Sequence, residues 1–109
     1  MSNEIREPTF LVLASLADGK KHGYGIMQEV ERLSNGDTTL RPGTLYAMLD
    51  RLASDGLIRV AGEEVVGGRL RRYYKLCTRG SSVLAEESRR RIGVSQLALT
   101  RLRLSVGLS

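Results

Sequence analysis

The chain has 109 residues, enough for one domain with a modest core. A formal net charge of +5 and a pI near 9.9 favour a polyanion over an acidic protein as partner. The single cysteine, Cys77, excludes an internal disulfide. No signal peptide or apolar run of membrane length is read, so a cytoplasmic protein without a membrane partner is expected.

Residues 1–7 are polar and read as a frayed start or an arm. Pro8 and Thr9 open a first helix over residues 10–17, closed by Asp18 and Gly19. This helix is apolar almost all round, so it must be covered on more than one side. In so small a domain the second side is expected to meet another subunit. Lys20, Lys21, His22, Gly23, Tyr24 and Gly25 then lead into a second helix with the stripe Ile26, Met27, Val30, Leu33. Asn35 or Gly36 suits the left-handed position that ends it. Thr38, Thr39 and Leu40 are read as a short strand edging the hairpin that follows later.

The third helix carries Leu45, Met48, Leu49 and Leu52, the i, i+3, i+4, i+7 spacing of a one-sided stripe. Pro42 suits its first turn and Gly56 its stop. Thr44, Ala47 and Arg51 fall on the opposite, outward face. Such a face is flat at its start and cationic further on, as a helix entering a DNA groove by its N-terminus requires. A two-stranded hairpin comes next, with Ile58 and Val60 on one strand and Leu70, Tyr74 and Leu76 on the other. Gly67 and Gly68 make a tight turn, since both tolerate positive φ. Between Arg41 and Arg79 stand eight basic residues against four acidic ones. Helix followed by basic hairpin is the winged helix-turn-helix plan.

A long helix is expected over residues 78–106. Its first half is charged. Its second half carries Ile92, Leu99, Leu102 and Val106 on one seam, with Val94, Leu97 and Leu104 beside it. No core within the same chain remains to cover them, so this helix is expected to pack on a second copy, with Phe10 and Leu13 of the first helix joining the interface. The predicted organisation is a mainly α fold with a small β-hairpin: a winged helix-turn-helix unit at residues 1–77 and a dimerisation helix at residues 78–109.

The chain resembles the PadR-type transcriptional regulators. The matching pieces are Lys21 to Ile26, Pro42 to Tyr46, Leu49 to Leu52, Gly56 to Ile58, Arg71 to Leu76, and Gly80. They occur in the family's order and reach from about Phe10 to Glu87, and the combination is highly specific. The resemblance implies a homodimeric DNA-binding repressor, often released from a pseudo-palindromic operator by a small molecule or other signal, and of the compact branch with one dimerisation helix. Two departures are visible. Cys77 stands where the family usually has a threonine capping the last helix, leaving either Thr78 as a later cap or a weaker helix start. Tryptophan, which lines an interface pore in some relatives, is absent.

The predicted DNA-binding residues are Lys20, Lys21, Tyr24, Gly43, Thr44, Tyr46, Arg51, Arg69 and Arg71. Free N–H groups at the start of the third helix attract phosphate, and Gly43 allows close approach. Thr44 bonds a phosphate or base edge, and the Tyr46 hydroxyl a phosphate. The bland reading makes Gly43 a turn residue and Tyr46 a half-buried ring. Arg69 and Arg71 sit closest to the hairpin tip, and guanidinium binds phosphate as a planar fork. Strand alternation turns Arg72 the other way, toward an acidic partner. His22, the lone histidine, reads as a turn or helix-start residue at the entry of the second helix and no metal ligand, because a metal needs several. No nucleophile–base pattern, phosphate loop or carboxylate cluster supports an enzyme, and no cofactor is expected. The alternative function is a winged helix that docks protein rather than DNA. A ligand cavity lined by Phe10, Ala14, Val94 and Leu97 at the dimer interface is the expected place for an effector.

Overall fold

The computed structural model describes residues 5–108, with side chains described to residue 104. Its elements run α1 (Glu7–Ser15), β1 (Lys21–His22), α2 (Gly23–Leu33), α3 (Pro42–Ser54), β2 (Ile58–Val66), β3 (Arg69–Leu76) and α4 (Thr78–Leu108). The strands form one antiparallel sheet in the order β1-β3-β2. The winged-helix plan of helices, basic hairpin and long last helix is therefore present. No helix of the described residues is long and apolar enough to cross a membrane.

The first helix starts earlier than its apolar run suggests. The Phe10 N–H donates to the Arg6 carbonyl, so the first turn takes in Glu7 and Pro8. Proline costs little there, where the N–H has no helical partner. Leu11, Val12, Leu13, Ser15 and Leu16 are buried within this same chain. The expectation that α1 keeps a side for another subunit is thereby corrected for Leu13. That side chain is fully enclosed by its own core and has nothing left to offer a partner. Phe10 is half-buried, and the Arg91 guanidinium of α4 lies 3.8 Å from its ring centroid.

The short third strand also differs from expectation. It is Lys21–His22, paired with Tyr74 and Tyr73, and not Thr38 to Leu40. The loop after α2 folds back on itself instead: the Ser34 hydroxyl accepts the Thr38 N–H at 3.0 Å, while Leu40 packs on the core. Asn35 and Gly36 take φ of 52° and 82°, the left-handed turn that the sequence suggests for this helix end.

One core joins all parts. Leu13, Ile26, Val30, Leu45, Leu49 and Ile58 have almost no exposure, and Tyr74 and Leu84 close its edges. Each such side chain contributes about 1.5–3 kcal/mol on burial. The hairpin turn has φ of 58° at Gly67 and 78° at Gly68, the paired positive angles of a type I′ connection. Helix α4 begins at Thr78, so Cys77 holds the cap position, and the Ser81 N–H closes the first turn on the Cys77 carbonyl. Thr78 lies inside the helix and is not a later cap.

The first half of α4 is pinned to the domain. Glu87 is only 3% exposed. It receives Arg90 at 2.6 Å and Arg91 at 2.9 Å. Arg91 also pairs with Glu7 of α1. Beyond Arg91 the helix runs free of its own domain. Ile92, Val94, Leu97, Leu99, Leu102 and Leu104 are each 50–63% exposed. Val106, expected on the same seam, lies outside the residues whose side chains are described. The 31 residues of α4 extend roughly 46 Å at 1.5 Å per residue, which accounts for the 64 Å long axis of the molecule.

Candidate nucleic-acid interface

Helix α3 is turned by its stripe. With Leu45, Met48, Leu49 and Leu52 buried, Gly43, Thr44, Ala47 and Arg51 face solvent. These four, with Met48, border a shallow hollow of about 420 Å³ along the outer face. The first intrahelical bond runs from the Leu45 N–H to the Arg41 carbonyl at 2.9 Å. The N–H groups of Gly43 and Thr44 thus belong to the unpaired first turn and point out of the helix end. No heavy atom lies within 4 Å of where a Gly43 β-carbon would stand, so an incoming chain meets no obstruction.

A second groove, of about 550 Å³, lies between the start of α2, α3 and the hairpin. Tyr24, Tyr46, Arg69 and Arg71 border it together. The structure therefore gathers residues from three separate stretches of sequence. Tyr46 is 48% exposed, and its hydroxyl crosses over the backbone of Gly23. A β-carbon on Gly23 would stand 2.6 Å from that oxygen. The missing side chain at Gly23 is what lets Tyr46 lie there.

His22 organises the start of α2. Its Nδ1 accepts the Gly25 N–H at 3.2 Å, and its ring meets the edge of Tyr73 at 5.6 Å between centroids. Burial, reinforced by the charge of Arg71, holds the imidazole below its ordinary pKa. A neutral ring is what an accepting Nδ1 requires. His22 is thus the helix-start residue that its position suggests. Among the described residues no group of three His, Cys, Asp or Glu side chains is arranged to hold a metal.

On the hairpin, Arg72 pairs with Glu63 at 3.2 Å, matching the acidic partner expected from alternation. Arg71 is not wholly free either. It lies 4.0 Å from Glu64, which also accepts the Tyr73 hydroxyl. Arg69 forms no ion pair among the described residues. Lys20 and Lys21 stand apart from the groove. Lys21 pairs with Asp18, and Lys20 sits over the Tyr73 ring at 5.3 Å. Sequence reasoning passed over Leu70, Asp50 and Gly23, all of which border the groove. Leu70 shares the strand face of Arg72 and Tyr74, so alternation contained its placement. Gly23 stood in one of the family-matching pieces, but nothing in the sequence pointed to its closeness to Tyr46.

Residues 12–86 match the model of the transcriptional regulator PadR-like family. The chain is 41% identical over 78 residues to the transcriptional regulator Rv3488 of Mycobacterium tuberculosis, covering 72% of this chain and 69% of that one. It is 33% identical over 86 residues to the transcriptional regulator YqjI of Escherichia coli, covering 79% of this chain but only 39% of that protein. Among solved structures, a PadR-like transcription factor from Bacteroides fragilis superposes with a TM-score of 0.70 at 26% identity, covering 85% of this chain and 87% of that one. Bacillus subtilis PadR, solved in complex with operator DNA, superposes with a TM-score of 0.66 at 21% identity. There the match covers 74% of this chain and spans 46% of the Bacillus protein. The proteins of this family are transcriptional regulators and not enzymes. By its sequence match and its fold, the chain belongs to the PadR-like family of transcriptional regulators.

Proposed function

We propose that this protein is a cytoplasmic, homodimeric repressor that binds a pseudo-palindromic operator and is released by a small molecule or another signal. The observation that carries the reading is the outer face of α3, where Gly43, Thr44, Ala47 and Arg51 form a flat, then cationic surface beside a hairpin bearing Arg69 and Arg71. Helix α3 enters the major groove by its N-terminus, and the hairpin follows the neighbouring phosphates. Tyr24 and Tyr46 supply hydroxyls from the groove between them. Lys20 and Lys21 are the outlying members of the binding set, at the base of the sheet. Residues 1–77 act as the reading unit and residues 78–109 as the coupling helix. The exposed Ile92, Leu99 and Leu102, with Phe10 at the edge, form the interface between copies. An effector acts at that interface, near Phe10, Ala14, Val94 and Leu97.

The test is a gel shift with DNA from upstream of the protein's own gene, at two salt concentrations, with and without cell extract. The expected result is a discrete complex that weakens steeply with salt. A failure to shift that DNA at low ionic strength would overturn the reading. A protein-docking module is the second reading, and it draws on Val65 and Leu70, which are 72% and 59% exposed near the hairpin tip. It predicts no DNA complex at any salt.

A further inference from the structure

The register of the sheet sets two cations opposite each other on the face turned away from the core, and a third stands beside them just before β1. Arg59 stands directly opposite Lys75 in the β2–β3 pair. Their neighbours Ile58 and Tyr74 point into the core, so by alternation Arg59 and Lys75 point out. On the other flank of β3, Lys21 faces Tyr74 and His22 faces Tyr73. Lys20 immediately precedes β1, and it borders a common hollow of about 300 Å³ with Lys75. Strands lie about 4.8 Å apart, so the row Lys20, Lys75, Arg59 spans roughly 10 Å. All three residues are exposed.

None of the three meets a carboxylate among the described residues. The Arg59 guanidinium reaches only the Val60 carbonyl, at 3.4 Å, and Lys20 only the Tyr73 ring. Nearer the hairpin tip the same sheet does the opposite: Arg71 faces Glu64 and Arg72 faces Glu63, each within ion-pair reach. Like charges directly opposite each other destabilise a strand pair. The row therefore lowers the stability of the free protein, and a polyanion laid across it removes that repulsion. Along β3, Arg69, Arg71 and Lys75 share one strand face by alternation, over roughly 20 Å. The row is the foot of a cationic track whose head is the hairpin tip. That continuity favours nucleic-acid phosphates over an acidic protein.

We propose that Lys20, Lys75 and Arg59 form a second phosphate-binding surface, which grips duplex DNA beyond the segment held by α3 and the hairpin tip. This rests on the DNA-binding reading above. The test compares the full chain with the double variant Arg59→Ala, Lys75→Ala, which leaves Lys20 of the binding set in place. Each is titrated against duplexes of about two and about four helical turns centred on the same bound sequence, across a salt series. On the long duplex the variant is expected to lose at least tenfold in affinity at low salt. Its slope of log K against log salt should flatten by about two units, at ~0.9 per phosphate contact. On the short duplex both proteins should bind alike, and the variant should melt no lower than its parent. Lys75→Arg, which keeps the charge, should retain the long-duplex slope. Equal binding of parent and double variant to the long duplex would overturn the proposal, as would equal losses on both duplexes. A parent that binds neither duplex would instead remove the DNA-binding reading, and this surface with it.

Discussion

The α-carbon of Gly80 presses against the backbone carbonyl of Leu57 so closely that a β-carbon would stand 1.9 Å from its oxygen. The same carbonyl accepts the Cys77 N–H at 2.9 Å. The start of α4 and the start of the hairpin are therefore fastened together, backbone on backbone. Gly80→Ala should force the two apart and lower stability by about 1–3 kcal/mol or more. Thermal unfolding measures this directly, and an unchanged midpoint would contradict the contact.

Gly23 and Tyr46 make a similar contact at the groove, but here the crowded partner is a side chain. Gly23→Ala should push the Tyr46 ring aside and weaken DNA binding by about tenfold, near 1.4 kcal/mol. Combining it with Tyr46→Leu removes the clashing ring. That double variant should regain stability over Gly23→Ala but not recover affinity. Parallel melting and anisotropy titrations separate the two effects.

The hairpin arginines differ in how freely they can reach a phosphate. Arg69→Ala should reduce affinity and flatten the salt slope by about one unit. Arg71→Ala should do the same, since Glu64 holds it only at long range. Glu64→Gln removes the opposing charge and should raise affinity a few-fold at low salt, an effect that fades as salt screens it. Affinity that falls on Glu64→Gln would show that Glu64 positions Arg71 rather than competing for it.

Glu87 makes the domain acid-sensitive. Hydrogen bonds from Arg90 and Arg91 hold its carboxyl below the usual 4.5, at about 2. A depressed carboxylate stabilises the fold fully above its unfolded pKa, and that contribution drains away as pH falls from about 4.5 through about 2. Glu87→Gln should melt lower than its parent at pH 7, and the gap should narrow by pH 3. Urea unfolding at both pH values tests the sign.

The free half of α4 offers the simplest oligomer test. Leu99→Glu with Leu102→Glu places two charges where a partner helix is proposed to pack. The expected result is a monomer by analytical ultracentrifugation, with the melting of the winged-helix core little changed. A variant that still sediments as a dimer would move the interface elsewhere.

The sequence carried the fold wherever periodicity matched burial. The α3 stripe, the Gly67–Gly68 turn and the long last helix all lie where their patterns put them. The third strand escaped because two residues carry no alternation: Lys21 and His22 pair with β3 only through tertiary placement. Thr38 to Leu40 looked more strand-like, yet the Ser34 hydroxyl had already claimed the Thr38 N–H. Leu13 misled for the opposite reason. An all-apolar helix says that every side is covered, but not by which chain, and the core of a single subunit was enough. At the groove, residue types pointed to Tyr46 and Arg69, while the closeness of Gly23 to Tyr46 existed only in three dimensions.

The fastening of α4 by Gly80 and Arg91 has a bearing on how an operator is measured. These residues tie the rod to α1 and to the backbone between α3 and β2. In a dimer, the distance between the two reading heads would then depend on where, and at what angle, the rods cross. Sliding that crossing by one residue shifts it 1.5 Å along the axis and turns it by about 100°. The ruler for half-site spacing would thus be written in the leucines of the protruding rod, far from any base the protein touches.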